Sequence, residues 1–319
     1  MTAAPNKPPL RVVLCSPRGF CAGVVRAIDV VERALQIYGP PVYVRHEIVH
    51  NRTVVDALQA KGVIFIEALS EAPPGPHPVI FSAHGVAKAV PEEAKMRGLF
   101  TIDATCPLVT KVHREAQAHF KRGRRIVLIG HAGHPEVIGT MGQLPPGAVT
   151  LVSTIDDVER LPSDSGEIAY VTQTTLSVDD TREIAATLER RFPAIHAPPV
   201  EDICYATTNR QEAVKAAARK VEAFIVVGAA NSSNSMRLRE VAEREGCAAQ
   251  LVADVRAIDW PALEGVRSLA VTAGASAPEA LVERIVEALG ERFAIALETL
   301  TTASETVAFP LPRTLRQTV

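Results

Sequence analysis

Six times along this chain a short aliphatic run gives way to a small polar loop and then to a helix-like stretch. The runs occupy residues 11–15, 79–81, 126–129, 168–171, 224–227 and 269–271. The first three loops read Ser16-Pro17-Arg18-Gly19, Ser82-Ala83-His84-Gly85 and Gly130-His131-Ala132-Gly133-His134. The others read Thr172-Gln173-Thr174-Thr175, Asn231-Ser232-Ser233-Asn234 and Thr272-Ala273-Gly274-Ala275-Ser276. A continuous apolar run bounded by turn residues fits a strand covered on both faces, and hence a parallel sheet. Alternation with helical stretches such as 237–245 and 278–289 gives an α/β class. In open sheets of this kind ligands bind beyond the carboxyl ends of the strands, where these loops fall. The pattern predicts three α/β units whose strand ends meet at one central site, although the units share too little sequence to establish a repeat.

Composition narrows the function. The chain has 319 residues and is 47% hydrophobic but only 4% aromatic, which predicts a large aliphatic core. No apolar run approaches the ~20 residues needed to span a bilayer. The polar, proline-rich residues 1–9 lack a signal pattern, so the expectation is a soluble, cytoplasmic protein with no membrane partner. A net charge of −2 argues against bulk binding to nucleic acid, which calls for a basic face. Pro73-Pro74-Gly75-Pro76 and Pro198-Pro199 mark loops, and residues 304–319, with Phe309-Pro310-Leu311-Pro312, read as an extended tail.

Five cysteines without a C-x-x-C pair argue against a disulfide framework. Cys15, in Val12-Val13-Leu14-Cys15, and Cys247 read as structural. Cys21, Cys106 and Cys204 each stand at a break in regular structure, about a hundred residues apart. Three such thiols could close around one metal centre and leave a position open; spacing alone does not separate an iron–sulfur centre from a three-thiolate zinc site. Asn231 through Ser235 precedes a helical run, and hydroxyls and amides at a helix N-terminus make a ready anion site. Ser276-Ala277-Pro278-Glu279 matches a capping box. Neither loop is a Walker loop and no G-x-G-x-x-G is present, so nucleotide binding has no support. Gly130 through Glu136 carries two imidazoles and a carboxylate, suited to a metal or to acid–base chemistry. Alternatively His131 bonds backbone and only His134 and Glu136 face a cleft. His50 and His84 also sit at turns.

Together these segments resemble the 4-hydroxy-3-methylbut-2-enyl diphosphate reductases. The resemblance runs in order from about Val12 to Leu289. It rests on Pro17 through Gly23, Tyr43 through Asn51, Phe81 through Val86, Asp103 through His113, Gly130 through Glu136 and Thr172 through Ser177. Asp202 through Gln211, Asn231 through Ser235 and Thr272 through Pro278 complete it. The resemblance implies three pseudo-repeated α/β domains with mainly parallel sheets, in a trefoil around a central iron–sulfur cluster. Residues 1–9 would form a flexible tail and residues 10–22 a strand and cysteine loop packing with the third domain. The domains would span 23–106, 107–200 and 201–297, with a C-terminal tail over 298–319.

The resemblance also implies the site. Cys21, Cys106 and Cys204 match the three ligands of one 4Fe-4S cluster per chain. His50, His84, Ser232, Ser233, Asn234 and Ser276 match positions lining the substrate, chiefly its diphosphate. His134, Thr174 and Glu136 match the group around its allylic hydroxyl, with Glu136 as proton donor. The implied reaction is reductive dehydroxylation to isopentenyl and dimethylallyl diphosphate by two one-electron transfers. The resemblance also implies an electron donor, such as a ferredoxin or flavodoxin with its NADPH-dependent reductase. The rival readings are a zinc phosphohydrolase using His131, His134 and Glu136, and a diphosphate sensor without turnover.

Overall fold

The computed structural model describes residues 7–163 and 166–316. The expected flexible N-terminal tail falls outside the described residues at positions 1–6, and the end of the C-terminal tail does so at 317–319. The chain begins with β1 (Pro9–Ser16), α1 (Ala22–Tyr38), β2 (Val42–Arg45), α2 (Arg52–Gln59), β3 (Val63–Ile66) and β4 (Gly75–Phe81). It continues with α3 (Ala89–Met96), β5 (Leu99–Asp103), α4 (Pro107–Lys121), β6 (Arg125–Ile129), α5 (Pro135–Met141) and β7 (Val149–Val152). Next come α6 (Ile155–Glu159), β8 (Ile168–Thr172), α7 (Val178–Arg191), α8 (Tyr205–Ala218) and β9 (Ala223–Val227). The order closes with α9 (Ser233–Arg244), β10 (Ala248–Val252), β11 (Ser268–Ala273), α10 (Glu279–Arg292) and β12 (Ala294–Thr301).

Two compact units emerge. The first runs to Cys21 and resumes over Tyr205–Val307; the second comprises Ala22–Cys204 and the chain from Ala308 onward. The first unit holds one five-stranded sheet in the order β10-β9-β11-β1-β12. The second holds two sheets, β3-β2-β4-β5 and β7-β6-β8. Every strand pairing is parallel. The class is therefore α/β with three parallel sheets, as the alternating pattern predicts.

Burial accounts for the pattern. All five residues of β9, Ala-Phe-Ile-Val-Val, are buried, as a strand covered on both faces requires. Against the same sheet α10 buries Leu281, Val282, Ile285 and Leu289, spaced three and four apart on one helical face. Each such side chain withdrawn from water contributes roughly 1.5–3 kcal/mol. Regular structure reaches Thr301 because β12 pairs along all of β1, Pro9 with Ala294 through Ser16 with Thr301. β12 thus stops short of residues 304–319, read from sequence as tail, and takes in residues 298–301 of the tail that the resemblance implies. No helix among the described residues is long and apolar enough to cross a membrane.

One topological feature recurs. In each sheet the chain leaves one central strand toward one edge and returns on the other side. The order therefore reverses between β2 and β4, between β6 and β8, and between β9 and β11. At such a switch point the two following loops diverge and leave a crevice beyond the carboxyl ends of the strands.

Candidate functional site

The predicted site residues fall at these switch points. His50 follows β2 and His84 follows β4; His134 and Glu136 follow β6 and Thr174 follows β8; Ser232 and Asn234 follow β9 and Ser276 follows β11.

In the second unit three imidazoles meet. His50 and His84 stack with ring centroids 4.1 Å apart, and His134 stands edge-on to them at 5.7 and 6.1 Å. Burial pushes the His84 pKa well below the ordinary 6.5, with His50, His134 and His46 adding like-charge repulsion. Burial, with His50 and His131 nearby, lowers His134 to about 4. Both imidazoles are therefore neutral at neutral pH. His134 is also the N-cap of α5: its Nδ1 accepts the Glu136 backbone N–H at 3.2 Å. That bond leaves the ring proton on Nε2, a buried donor with no protein partner.

Glu136 is the second residue of α5 and is only 2% exposed. One carboxylate oxygen accepts the Thr174 backbone N–H at 2.6 Å and the other the Thr174 hydroxyl at 3.0 Å. Desolvation outweighs both bonds, Asp202 adds to it, and the pKa rises from 4.5 to about 7. The zinc alternative would need this carboxylate as a ligand, yet both its oxygens are committed to Thr174. Among the described residues no three His, Cys, Asp or Glu side chains are grouped around a point for a single ion. His131 bonds through its backbone, its N–H donating to Gln173 Oε1 at 3.0 Å.

In the first unit the polar cluster is built from neutral donors. Ser232 caps α9, its hydroxyl accepting the Ser235 backbone N–H. The Ser235 and Ser276 hydroxyls lie 3.1 and 3.5 Å from Ser232 Oγ. Asn234 Oδ1 accepts the Ala275 N–H at 2.9 Å, and its amide donates to Thr207 Oγ1 at 3.3 Å. All five polar side chains are buried. Gly228 and Gly274, at the ends of β9 and β11, make room: an added Cβ at either would overlap Ser235 Oγ. Ser233 is the first residue of α9 and partly exposed. The predicted capping box at Ser276 is not formed. Pro278 is the N-cap of α10 and makes no side-chain cap bond, while the Ser276 hydroxyl turns to Ser232. Sequence reading quoted Ser235 and Thr207 without assigning them to the site. Their signal is the requirement that a buried hydroxyl find a partner, which only the fold supplies.

No disulfide forms among the described residues. Cys15 is fully buried in β1 and burial pushes its thiol up to about 12; burial also raises the Cys247 thiol. Both remain protonated, structural thiols. Cys21, Cys106 and Cys204 are partly exposed, and each directly precedes a helix: α1, α4 and α8. Helix N-termini offer unpaired N–H groups and a positive dipole end, which suit an anionic group bound beside them. Each cysteine is also tied to a switch-point loop, its N–H donating to Ala275 O (3.2 Å), Ala83 O (2.9 Å) and Thr174 O (3.0 Å) respectively. This donor set fits an iron–sulfur group. In a multi-iron cluster each thiolate holds its own iron, so the sulfurs need not converge on a point.

These features define an α/β protein with a buried cluster of neutral donors at a helix start, a buried carboxyl whose pKa is raised to about 7, and three partly exposed cysteines each directly ahead of a helix. Residues 12–290 match the LytB protein family. The 4-hydroxy-3-methylbut-2-enyl diphosphate reductase 2 of Rhodopseudomonas palustris is 64% identical over 312 residues, 97% of this chain and 98% of that protein. The Methylocella silvestris 4-hydroxy-3-methylbut-2-enyl diphosphate reductase is 63% identical over 98% of each. Among solved structures, the E-1-hydroxy-2-methyl-but-2-enyl-4-diphosphate reductase from Plasmodium falciparum superposes with a TM-score of 0.92 at 42% identity. That match covers 98% of this chain and 97% of that one. The chain belongs to the LytB family.

Proposed function

We propose that this chain is an iron–sulfur oxidoreductase that converts 4-hydroxy-3-methylbut-2-enyl diphosphate to isopentenyl and dimethylallyl diphosphate in the non-mevalonate isoprenoid pathway. The reaction takes up two electrons and two protons and releases the allylic hydroxyl as water. Cys21, Cys106 and Cys204 would hold one 4Fe-4S cluster. When bound, the cluster supplies the electrons one at a time and, with three cysteines for four irons, keeps one iron without a protein ligand. A ferredoxin or flavodoxin with its NADPH-dependent reductase would provide the electrons. The protein would act in the cytoplasm, without nucleic acid or membrane partners.

The chain's own residues do the rest. Ser232, Ser233, Asn234 and Ser276, at the start of α9 and beside it, would take the diphosphate with hydroxyl, amide and backbone N–H donors. His50 and His84 would join them, His84 neutral when empty and able to gain a proton as an anion approaches. His134 presents Nε2–H, and with Thr174 it would orient the allylic hydroxyl. Glu136 would hold the proton that lets the hydroxyl oxygen depart as water. A second proton, arriving at either end of the allylic fragment, accounts for two products.

The observation that carries this reading is Glu136, a buried carboxyl poised near pH 7 by burial and fixed by Thr174, beside imidazoles held neutral. The test is iron and acid-labile sulfide per chain on anaerobically purified protein, with EPR spectra of the reduced protein before and after adding substrate. Iron and sulfide near four each, with a signal that shifts on adding substrate, are expected. Zinc in place of iron would overturn the assignment.

A further inference from the structure

Three cations elsewhere in the chain make one repeated contact. Arg26, in the second turn of α1, donates from Nη1 to the carbonyls of Ala104 (3.1 Å) and Thr105 (3.0 Å), the two peptides leading into Cys106. Lys111, in the second turn of α4, donates to Val200 O and to the Asp202 carboxylate, each at 2.8 Å, in the segment leading into Cys204. Arg210, in the second turn of α8, donates to Gly19 O at 2.7 Å and Phe20 O at 3.3 Å, the two peptides leading into Cys21.

The contacts form a cycle. The helix that follows Cys21 holds the approach to Cys106; the helix that follows Cys106 holds the approach to Cys204; the helix that follows Cys204 holds the approach to Cys21. Carbonyls just upstream of a helix have no place in its ladder and need other donors. A guanidinium fork meets two at once, and an ammonium can bridge a carbonyl and a carboxylate. Two of the clamps are backed by the segment after β12. Glu305 pairs with Arg210 Nη1 at 2.9 Å, and Pro310 O accepts from Arg26 Nε at 2.9 Å. Lys111 is backed by Glu115 at 3.4 Å, and Asp202 in turn accepts the Thr172 N–H at 2.9 Å.

We propose that Arg26, Lys111 and Arg210 are positioning residues forming a cyclic interlock, each fixing the thiol that lies one step further round the cycle. This rests on the reading of the three cysteines as the metal-holding thiols. It adds that their placement is enforced by the protein before any iron binds. It also gives the C-terminal segment a task, since Glu305 and Pro310 complete two of the three clamps.

Site-resolved alkylation of the full-length chain tests it. Iron is removed by chelation under native conditions, the fold is checked by circular dichroism, and iodoacetamide labelling of each cysteine is followed by peptide mass spectrometry. Arg26→Gln should speed labelling of Cys106 about ten-fold relative to Cys21 and Cys204, the scale of losing charge-assisted bonds. Lys111→Gln should do the same for Cys204 alone. Arg210 is fully buried and its replacement endangers the fold, so the two partly exposed clamps, Arg26 and Lys111, carry the test. Removing a nearby cation by itself slows alkylation, because the thiolate is the nucleophile. Acceleration therefore reports loosening, and Arg26→Lys, which keeps the charge, should restore most of the protection. On loaded protein, both Gln variants should release iron to a chelator several-fold faster.

Unchanged labelling ratios would overturn the interlock. So would acceleration of all three thiols together, or of Cys21 in Arg26→Gln, or a parent chain whose cysteines already label at the rate of an unfolded peptide. Iron and sulfide content of the parent separately tests the ligand reading, so the two can fail independently.

Discussion

Replacing Glu136 with Gln separates its proton from its shape. The amide keeps an oxygen for the Thr174 N–H and turns an NH2 toward the Thr174 hydroxyl, which can accept instead of donate. What is lost is the titration. The folded-state pKa is raised from 4.5 to about 7, so between those values the native chain binds more protons than the unfolded one. Stability therefore falls as pH rises through that window, and the full cost of the buried charge, about 3 kcal/mol, is reached above pH 7. The Gln variant escapes it. On iron-matched preparations its thermal midpoint should equal that of the parent near pH 4.5 and exceed it by several degrees at pH 8.5. Turnover with a one-electron reductant should fall by ~10² or more, with iron content unchanged. A variant with parental turnover, or one whose stability advantage does not grow with pH, would refute the reasoning.

Three further outcomes follow from the same geometry. Thr174→Val removes one of the bonds that lowers the Glu136 pKa, so the alkaline limb of the rate profile should move up by roughly half a unit to one unit; an unmoved limb would separate this carboxyl from the rate. Cys106→Ser should lose bound iron on purification, whereas Cys15→Ser, altering a buried thiol of β1, should retain it; iron analysis of the pair decides. Because His84 and His134 are neutral when empty, diphosphate binding should draw protons onto the cluster. Calorimetry near pH 6.5 in buffers of different ionisation enthalpy should show greater proton uptake in the parent than in His134→Asn, and equal uptake would count against the imidazoles.

What the sequence disclosed depended on how thoroughly each segment is covered. Five of the six aliphatic runs became β1, β4, β6, β9 and β11, strands flanked on both sides, and the sixth became the buried edge strand β8. Of the six strands that were not anticipated, β3, β5, β7, β10 and β12 are sheet edges; the exception is β2, a buried central strand of only four residues. Half-exposed strands such as Val-Thr-Leu-Val of β7, with two of its four residues buried, need no continuous apolar run and leave a weaker mark. The candidate site was legible because its chemistry is concentrated in short loops of unusual composition. The Ser276 capping box was misread because the competing partner, Ser232, lies 44 residues away and reaches it only across the sheet. Arg26, Lys111 and Arg210 were invisible as functional residues: a cation in a helix carries no sign of the carbonyl it will meet.

The position of β1 has a consequence for how the molecule is made. It lies between β11 and β12, strands separated from it by some 250 residues of chain, and almost all of the second unit is encoded in that interval. Such distant pairings are slow to form because a long loop must close before any contact repays it. During synthesis the inserted guest can fold while its host waits, β1 unpaired until β11 and β12 emerge. The stretch from Pro9 to Ser16 is then an apolar strand without neighbours for most of translation, and it is the place where this chain is most exposed to going astray.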